Sequence, residues 1–258
     1  MSTALTSAGS TNAGSSTTML LEATGLVKRY GALAVVNGVD FRMAENEAVG
    51  IVGPNGAGKT SLLNLLSGAV PVSEGRIALR GAVITGQDAA WRCRHGIGRS
   101  HQVPKPFGGM TVFENLLVAA TQGGGFAQHE AYDRAVDSLQ LCGMLPTANR
   151  PAEALGLLER KRLELARALA TGPELLLLDE IGGGLTDGEA LELVEVILDL
   201  RRRGIAIVWI EHIVHILVKV VTRLVCMDAG RVIAEGDPRA VLKDPVVISA
   251  YLGAEDAA

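Results

Sequence analysis

Eight consecutive residues carry the strongest chemical signal in the chain. Gly53-Pro54-Asn55-Gly56-Ala57-Gly58-Lys59-Thr60 satisfies GxxxxGK[ST], the spacing of a loop that cradles phosphates. The glycines let backbone N–H groups turn toward an anion, with the N-terminus of the following helix behind them. Lys59 supplies a point charge for the β and γ phosphates of a nucleoside triphosphate, Thr60 a hydroxyl for Mg²⁺, and Ser61, next in the chain, is expected to complete the nucleotide-binding set. A second signal lies far downstream, where the apolar run 175–178 ends in Asp179-Glu180. A carboxylate at the end of a buried strand holds magnesium in such sites, and the next carboxylate is placed to polarise a water for attack on the γ phosphate. Alone, a strand-end acid is commonplace. Beside a phosphate loop the pair reads as metal ligand and general base.

These groups must be carried on alternating strands and helices. Strand-like runs occupy 20–27, 34–41 and Ala48–Val52, and the apolar helix Lys59–Leu66 follows the glycine-rich turn. Weaker strand signals bounded by glycines lie at 76–79 and 83–85. From 89 to 170 the pattern is mostly helical, with helices expected at 111–121, Gln128–Leu141 and 160–170. After Thr171-Gly172-Pro173, the compact apolar runs 175–178 and 205–210 suit a parallel sheet buried on both faces. Between them, 188–203 reads as a helix with its basic cluster at the C-terminal end, where it complements the macrodipole. The pattern is an α/β core with a largely helical segment inserted in its middle.

Bulk properties narrow the classes. Hydrophobic residues make up 48% of 258, enough for a sizeable core, and the net charge of -4 argues against a general nucleic-acid binder. Cys93, Cys142 and Cys226 are scattered in no metal-ligand or CxxC spacing and read as ordinary thiols of a reducing compartment. No apolar run approaches the roughly 20 residues that cross a bilayer, so any channel belongs to other chains. Residues 1–18 are almost all Ser, Thr, Ala, Gly and Asn, without the features of a signal or transit peptide. They are expected to form a flexible tail, and Met19, where the ordered pattern begins, is a second candidate start.

With these motifs in order, residues 19–258 resemble an ABC ATPase. The resemblance implies a P-loop NTPase (RecA-like) core with a mostly parallel sheet, an antiparallel β subdomain and an inserted helical subdomain over about 89–170. It also implies roles for further residues. Tyr30, in Lys28-Arg29-Tyr30-Gly31, matches the aromatic that stacks on adenine. Gln102, closing Gly98-Arg99-Ser100-His101-Gln102, matches the glutamine that links Mg²⁺ and attacking water to the helical insertion. His212, after an apolar strand, matches the switch histidine that contacts the γ phosphate, and Gly184-Leu185-Thr186 the loop that crosses a dimer interface. His212 with His215 lacks a third ligand for a metal site. Within the family, the segments 96–102, 109–116, 162–169, 230–238 and 250–253 are most similar to ATP-binding subunits of branched-chain amino acid importers. The resemblance implies a partner ATPase chain, the same or homologous, together with transmembrane permease subunits and, indirectly, an external solute-binding protein. It implies no nucleic-acid partner, and a peripheral location on the cytoplasmic face of the inner membrane.

One segment departs from the family. Its Leu-Ser-Gly-Gly-Gln signature should fall at Leu155-Gly156-Leu157-Leu158-Glu159. Gly156 removes a hydroxyl donor to the opposing subunit's ATP, and Leu158 puts a side chain where a backbone should approach closely. Thr186 replaces the usual acid of the interface loop. These changes concern the partner-facing site rather than the ATP site built from the chain's own motifs. They also keep in view an ABC-type ATPase that is soluble or regulatory and not coupled to transport.

Overall fold

The structure, a computed structural model, describes residues 18–255. The expected tail therefore lies, apart from Thr18, outside the described residues. Two sheets share the strand-rich part of the chain. The first is antiparallel, with β1 (Met19–Tyr30), β2 (Leu33–Ala44), β4 (Glu74–Leu79) and β5 (Ala82–Val83) in the order β2-β1-β4-β5. The second contains β3 (Ala48–Val52), β6 (Ile97–Arg99), β7 (Leu175–Asp179), β8 (Ala206–Ile210), β9 (Arg223–Asp228) and β10 (Arg231–Gly236), ordered β10-β9-β3-β8-β7-β6. Every pairing in it is parallel except β9 with β10.

The central strands are buried along their whole length, and strand alternation divides their side chains between two cores. Ala48, Val52, Leu176, Leu178, Ile207 and Trp209 pack with the helical segment. Val49, Ile51, Leu175, Leu177, Val208 and Ile210 pack on the opposite face against α1 (Lys59–Leu66) and the antiparallel sheet. The runs 175–178 and 205–210 read as continuously apolar because both faces are covered.

The helical segment differs from expectation in three places. The first is β6, which pairs with β7 at Ile97↔Leu175 through Arg99↔Leu177. It follows α2 (Ala89–Arg94) and interrupts the mostly helical stretch over 89–170, so the helices that follow it begin at α3 (Val112–Val118). Three residues are too few for a period to register. Second, α3 ends at Val118 and continues as a wider π turn over Ala119–Gly123, short of the single helix expected over 111–121. Third, α5 (Leu157–Ala170) starts at Leu157 rather than near 160, and α4 (Gln128–Leu141) packs against it. After β7, α6 (Asp187–Arg202) opens on a capping box between Thr186 and Glu189, so Thr186 is an N-cap. The chain closes through α7 (Val214–Val220), α8 (Pro238–Val241) and α9 (Pro245–Glu255).

Arg92, on α2, is 1% exposed and acts as the C-terminal cap of α1. Its Nη1 donates to the carbonyls of Leu65 (2.6 Å) and Leu66 (2.9 Å), its Nη2 to those of Ile84 and Thr85, and its Nε to that of Gln87. Burial pulls the guanidinium down to about 10, still charged at neutral pH. Replacing it with methionine strands several buried carbonyls at about 1–3 kcal/mol each. Arg92→Met should therefore lower unfolding free energy by about 3 kcal/mol or more in denaturant titration, and Arg92→Lys by less.

Candidate functional site

Four parallel strands deliver their carboxyl ends to one edge of the main sheet, where ligands bind in folds of this type. The phosphate loop leaves β3, Asp179-Glu180 closes β7, His212 follows β8, and Gln102 follows β6. Because β8 lies between β3 and β7, the histidine emerges between the loop and the acids.

The loop is held from behind by the β9–β10 hairpin. Gly53 has φ 146°, and a Cβ there would sit 2.0 Å from the Met227 carbonyl oxygen. Gly58, at φ 96°, would place one 2.4 Å from the Val35 carbonyl oxygen. No other residue fits either position, which gives a steric reason for glycine at both. The hairpin turn, Ala229-Gly230, has positive φ at both residues, and Gly230 N–H donates to the Ala57 carbonyl at 3.0 Å. Lys59 is 6% exposed, and its ammonium donates to the Gly53 and Pro54 carbonyls at 2.7 and 3.0 Å. Burial pulls its pKa below the ordinary lysine value, opposed by Glu180 and Asp179. A cavity of about 320 Å³ is lined by Val35, residues 55–61 and Glu180, which places Asn55, Gly56, Ala57, Gly58, Lys59, Thr60 and Ser61 around one space. Gly53 and Pro54 lie beneath it as acceptors for Lys59.

The acids sit opposite. Thr60 Oγ1 donates to Asp179 Oδ1 at 3.3 Å, and Arg99 Nη2 donates to Oδ2 at 3.2 Å. Burial pushes the Asp179 carboxyl up, and Arg99 holds it down. Glu180 has φ 47°, a left-handed conformation that costs a non-glycine residue about 1–2 kcal/mol. Its carboxylate accepts from His212 Nε2 at 2.7 Å on one oxygen and from the Gln102 amide on the other. Glu211, 2% exposed, accepts from the backbone N–H groups of Gly182 and His212, both at 3.0 Å. Glu180, Gln102 and His212, widely separated in sequence, are thus one hydrogen-bonded cluster.

Two expected site groups stand apart from that cluster. Tyr30 ends β1 at 53% exposure, with the Lys28 ammonium 4.9 Å from its ring centroid, and it does not line the loop cavity. The segment Leu155–Glu159 forms the start of α5. Gly156 is the N-cap, and its N–H donates to Glu159 Oε2 at 3.0 Å. Arg150 pairs with the other Glu159 oxygen at 2.7 Å. Leu157 is exposed and borders Gly184, whose Cβ would come 3.3 Å from it. Reasoning from sequence missed Arg99, Lys161 and Glu211. Arg99 and Glu211 each adjoin a motif, but only the fold shows what their side chains reach.

Comparison with known proteins agrees with this geometry. Residues 36–182 match the ABC transporter family, and residues 231–257 match the branched-chain amino acid ATP-binding cassette transporter family. The chain is 39% identical over 249 residues to the high-affinity branched-chain amino acid transport ATP-binding protein LivG of Salmonella typhimurium, covering 91% of this chain and 98% of that protein. It is 35% identical to BraF of Pseudomonas aeruginosa, a protein of the same description, at the same coverage. A solved ATP-binding cassette of an ABC transporter in its ADP conformation aligns with a TM-score of 0.84 at 30% identity, over 91% of this chain and 99% of that one. A nucleotide-free cassette aligns at 0.83 and 30%, over 90% and 98%. The phosphate loop, the acids at the end of β7 and a likeness that runs nearly the full length of these relatives lead to one conclusion: the chain belongs to the ABC transporter family, as an ATP-binding, ATP-hydrolysing cassette.

Proposed function

We propose that this cassette powers an importer of branched-chain amino acids or a related small solute, as a peripheral subunit on the cytoplasmic face of the inner membrane. The observation that carries its ATPase role is the meeting of Lys59, Thr60, Asp179, Glu180, Gln102 and His212 at one sheet edge. The solute class rests on the relatives' descriptions and on the match of residues 231–257. Among the described residues no helix is long and apolar enough to cross a membrane, so transmembrane permease chains are the partners that would form the path, with an external solute-binding protein feeding them. Loop 103–109 is the candidate permease contact. Val103 and Phe107 are exposed there, and Arg167 stacks 4.4 Å from the Phe107 ring centroid.

In this reading Lys59 and the backbone of Gly53–Thr60 bind the ATP phosphates, and Tyr30 stacks on adenine. The donor set suits magnesium: Thr60 and Asp179 bring hard oxygens within hydrogen-bond distance of each other beside the loop, and Gln102 keeps its amide oxygen for the same ion. When bound, the ion would neutralise phosphate charge. Glu180 takes the proton of the attacking water. Both of its oxygens are engaged, by His212 and Gln102. A γ phosphate that draws His212 to itself frees one of them, so the base is released when substrate is in place.

The second ATPase chain completes each site, its signature facing this chain's loop. This chain's own signature face is weakened. Glu159 holds a carboxylate at the α5 N-terminus, where it takes the Gly156 N–H and opposes an incoming phosphate. Leu158 adds bulk in the first turn. Beside a homologous partner of intact signature, the two sites of the working complex are unequal, and the weakened one is that holding the partner's ATP.

Lys59→Ala should abolish tight MgATP binding, whereas Glu180→Gln should keep binding and lose hydrolysis. Nucleotide titration and phosphate release check both, and uptake of labelled leucine should stop in cells carrying either variant. Undiminished hydrolysis by Glu180→Gln would sink the assignment of the base.

Restoring the signature with Gly156→Ser and Leu158→Gly should speed hydrolysis by the isolated chain severalfold, about 1 kcal/mol in barrier. With a partner of intact signature, Glu180→Gln here should cost far more activity than the matching change in the partner. Equal losses, with no gain from the restored signature, would mean that both sites are competent.

A further inference from the structure

Lys161 lies in the second turn of α5, five positions after the N-cap Gly156, and is 4% exposed. Its ammonium donates to two backbone carbonyls on other elements, that of Gln102 at 2.8 Å and that of Glu180 at 3.2 Å. Burial works against the charge, and Glu211, Glu180 and Glu164 support it. The two acceptors are not arbitrary. They belong to the two residues whose side chains meet in the Gln102–Glu180 hydrogen bond, so one cation grips the backbone of both partners in a single catalytic contact.

Glu180 needs such a grip. Its backbone is left-handed, and strained conformations persist where surroundings over-determine them. Its N–H is fixed by the Ile210 carbonyl at 2.9 Å, and its carbonyl by Gly183 N–H at 3.2 Å and by Lys161. Of these holds, only Lys161 comes from the helical segment.

We propose that Lys161 is a positioning residue that locks the glutamine loop and Glu180 to α5, so that displacement of this helix disarms the base of the same chain. The inference rests on the reading of Glu180 as the base. It gives α5 two outputs: its N-terminus faces the partner's nucleotide, and its second turn sets the carboxylate for the chain's own. A lysine retained only to fill space would tolerate an uncharged side chain of similar length without loss of chemistry.

The test compares the full-length chain with Lys161→Met and Lys161→Arg. In Lys161→Met, MgATP affinity should stay within about twofold, while single-turnover hydrolysis of bound ATP falls on the order of 100-fold, the scale of a misplaced catalytic group. Lys161→Arg, which keeps a cation with several donors, should recover most of that rate. Added to Glu180→Gln, Lys161→Met should cause no further loss. Amide exchange should rise in peptides spanning 102 and 180–183 of Lys161→Met and stay unchanged in α1. If Lys161→Met does not fold, Lys161→Gln takes its place in each comparison. Wild-type rate and wild-type exchange in the uncharged variant, with Glu180→Gln inactive, would overturn the lock and leave the base assignment standing. An active Glu180→Gln would instead remove the reading beneath it. A lower melting temperature with unchanged turnover per folded molecule would also overturn the lock, since it marks a merely structural lysine.

Discussion

A nearly buried carboxylate joins the parts of this site. Asp179 is 2% exposed, and taking such a charge out of water costs several kcal/mol unless partners compensate it. The compensation comes from two segments. Arg99, at the end of β6, takes Oδ2, while Thr60, in the first turn of α1, takes Oδ1. Arg99 also donates to Asn64 Oδ1 at 2.6 Å and Ser67 Oγ at 3.0 Å on α1. One guanidinium therefore sets the rotation of the carboxylate and its distance from the phosphate-loop helix. It leaves Oδ1 as the oxygen directed to Thr60, the side on which a metal ion would be held.

The same edge shows why strand order matters as much as motif content. The loop and the acids are not on adjacent strands. With β8 between β3 and β7, a residue just beyond β8 has only a short reach to either side, and His212 uses it to meet Glu180 rather than the loop. Gln102 approaches from beyond β7, so the carboxylate is held from two directions. Asp179 and Glu180 are neighbours in the chain but opposites in environment. Asp179 is locked by a cation and a hydroxyl, whereas Glu180 is held by an imidazole and a side-chain amide.

The phosphate loop, the acids and the buried strands were legible because each rests on a local pattern: fixed glycine spacing, a strand-end carboxylate, a run buried on both faces. The bounds of Ala48–Val52, Lys59–Leu66 and Gln128–Leu141 agree with the structure for that reason. What was hidden depended on distant partners. Strand β6 has only three residues and is defined by its register with β7. The β9–β10 hairpin turns on Ala229-Gly230, and alanine at a positive-φ position gives none of the Asn-Gly or Asp-Gly signal that marks such turns. The start of α5 at Leu157 carries no local signal, because Gly156 and two leucines offer no polar cap; the cap is Glu159 reaching back three residues. For Arg92, Arg99 and Lys161, nothing local in the sequence announces a cation whose acceptors are backbone carbonyls or side chains on other elements.

The Glu159 cap bears on how the two faces of the cassette relate. A helix N-terminus binds an anion when its amides are free and its local charge is not already answered. Every group on the chain's own nucleotide face keeps the chemistry that face requires: flexible glycines, a lysine, a hydroxyl and two acids. On the α5 face, by contrast, the Glu159 side chain accepts the Gly156 N–H and Arg150 fixes it there, while Leu157 and Leu158 fill the first turn. An incoming phosphate must displace a carboxylate and approach past apolar side chains. Yet Lys161, one turn further on, still ties this helix to Glu180. On the proposed reading, this helix lacks the hydroxyl and the glycine through which the family signature receives a partner's phosphate, and keeps the contact through which it would act on its own chain's base.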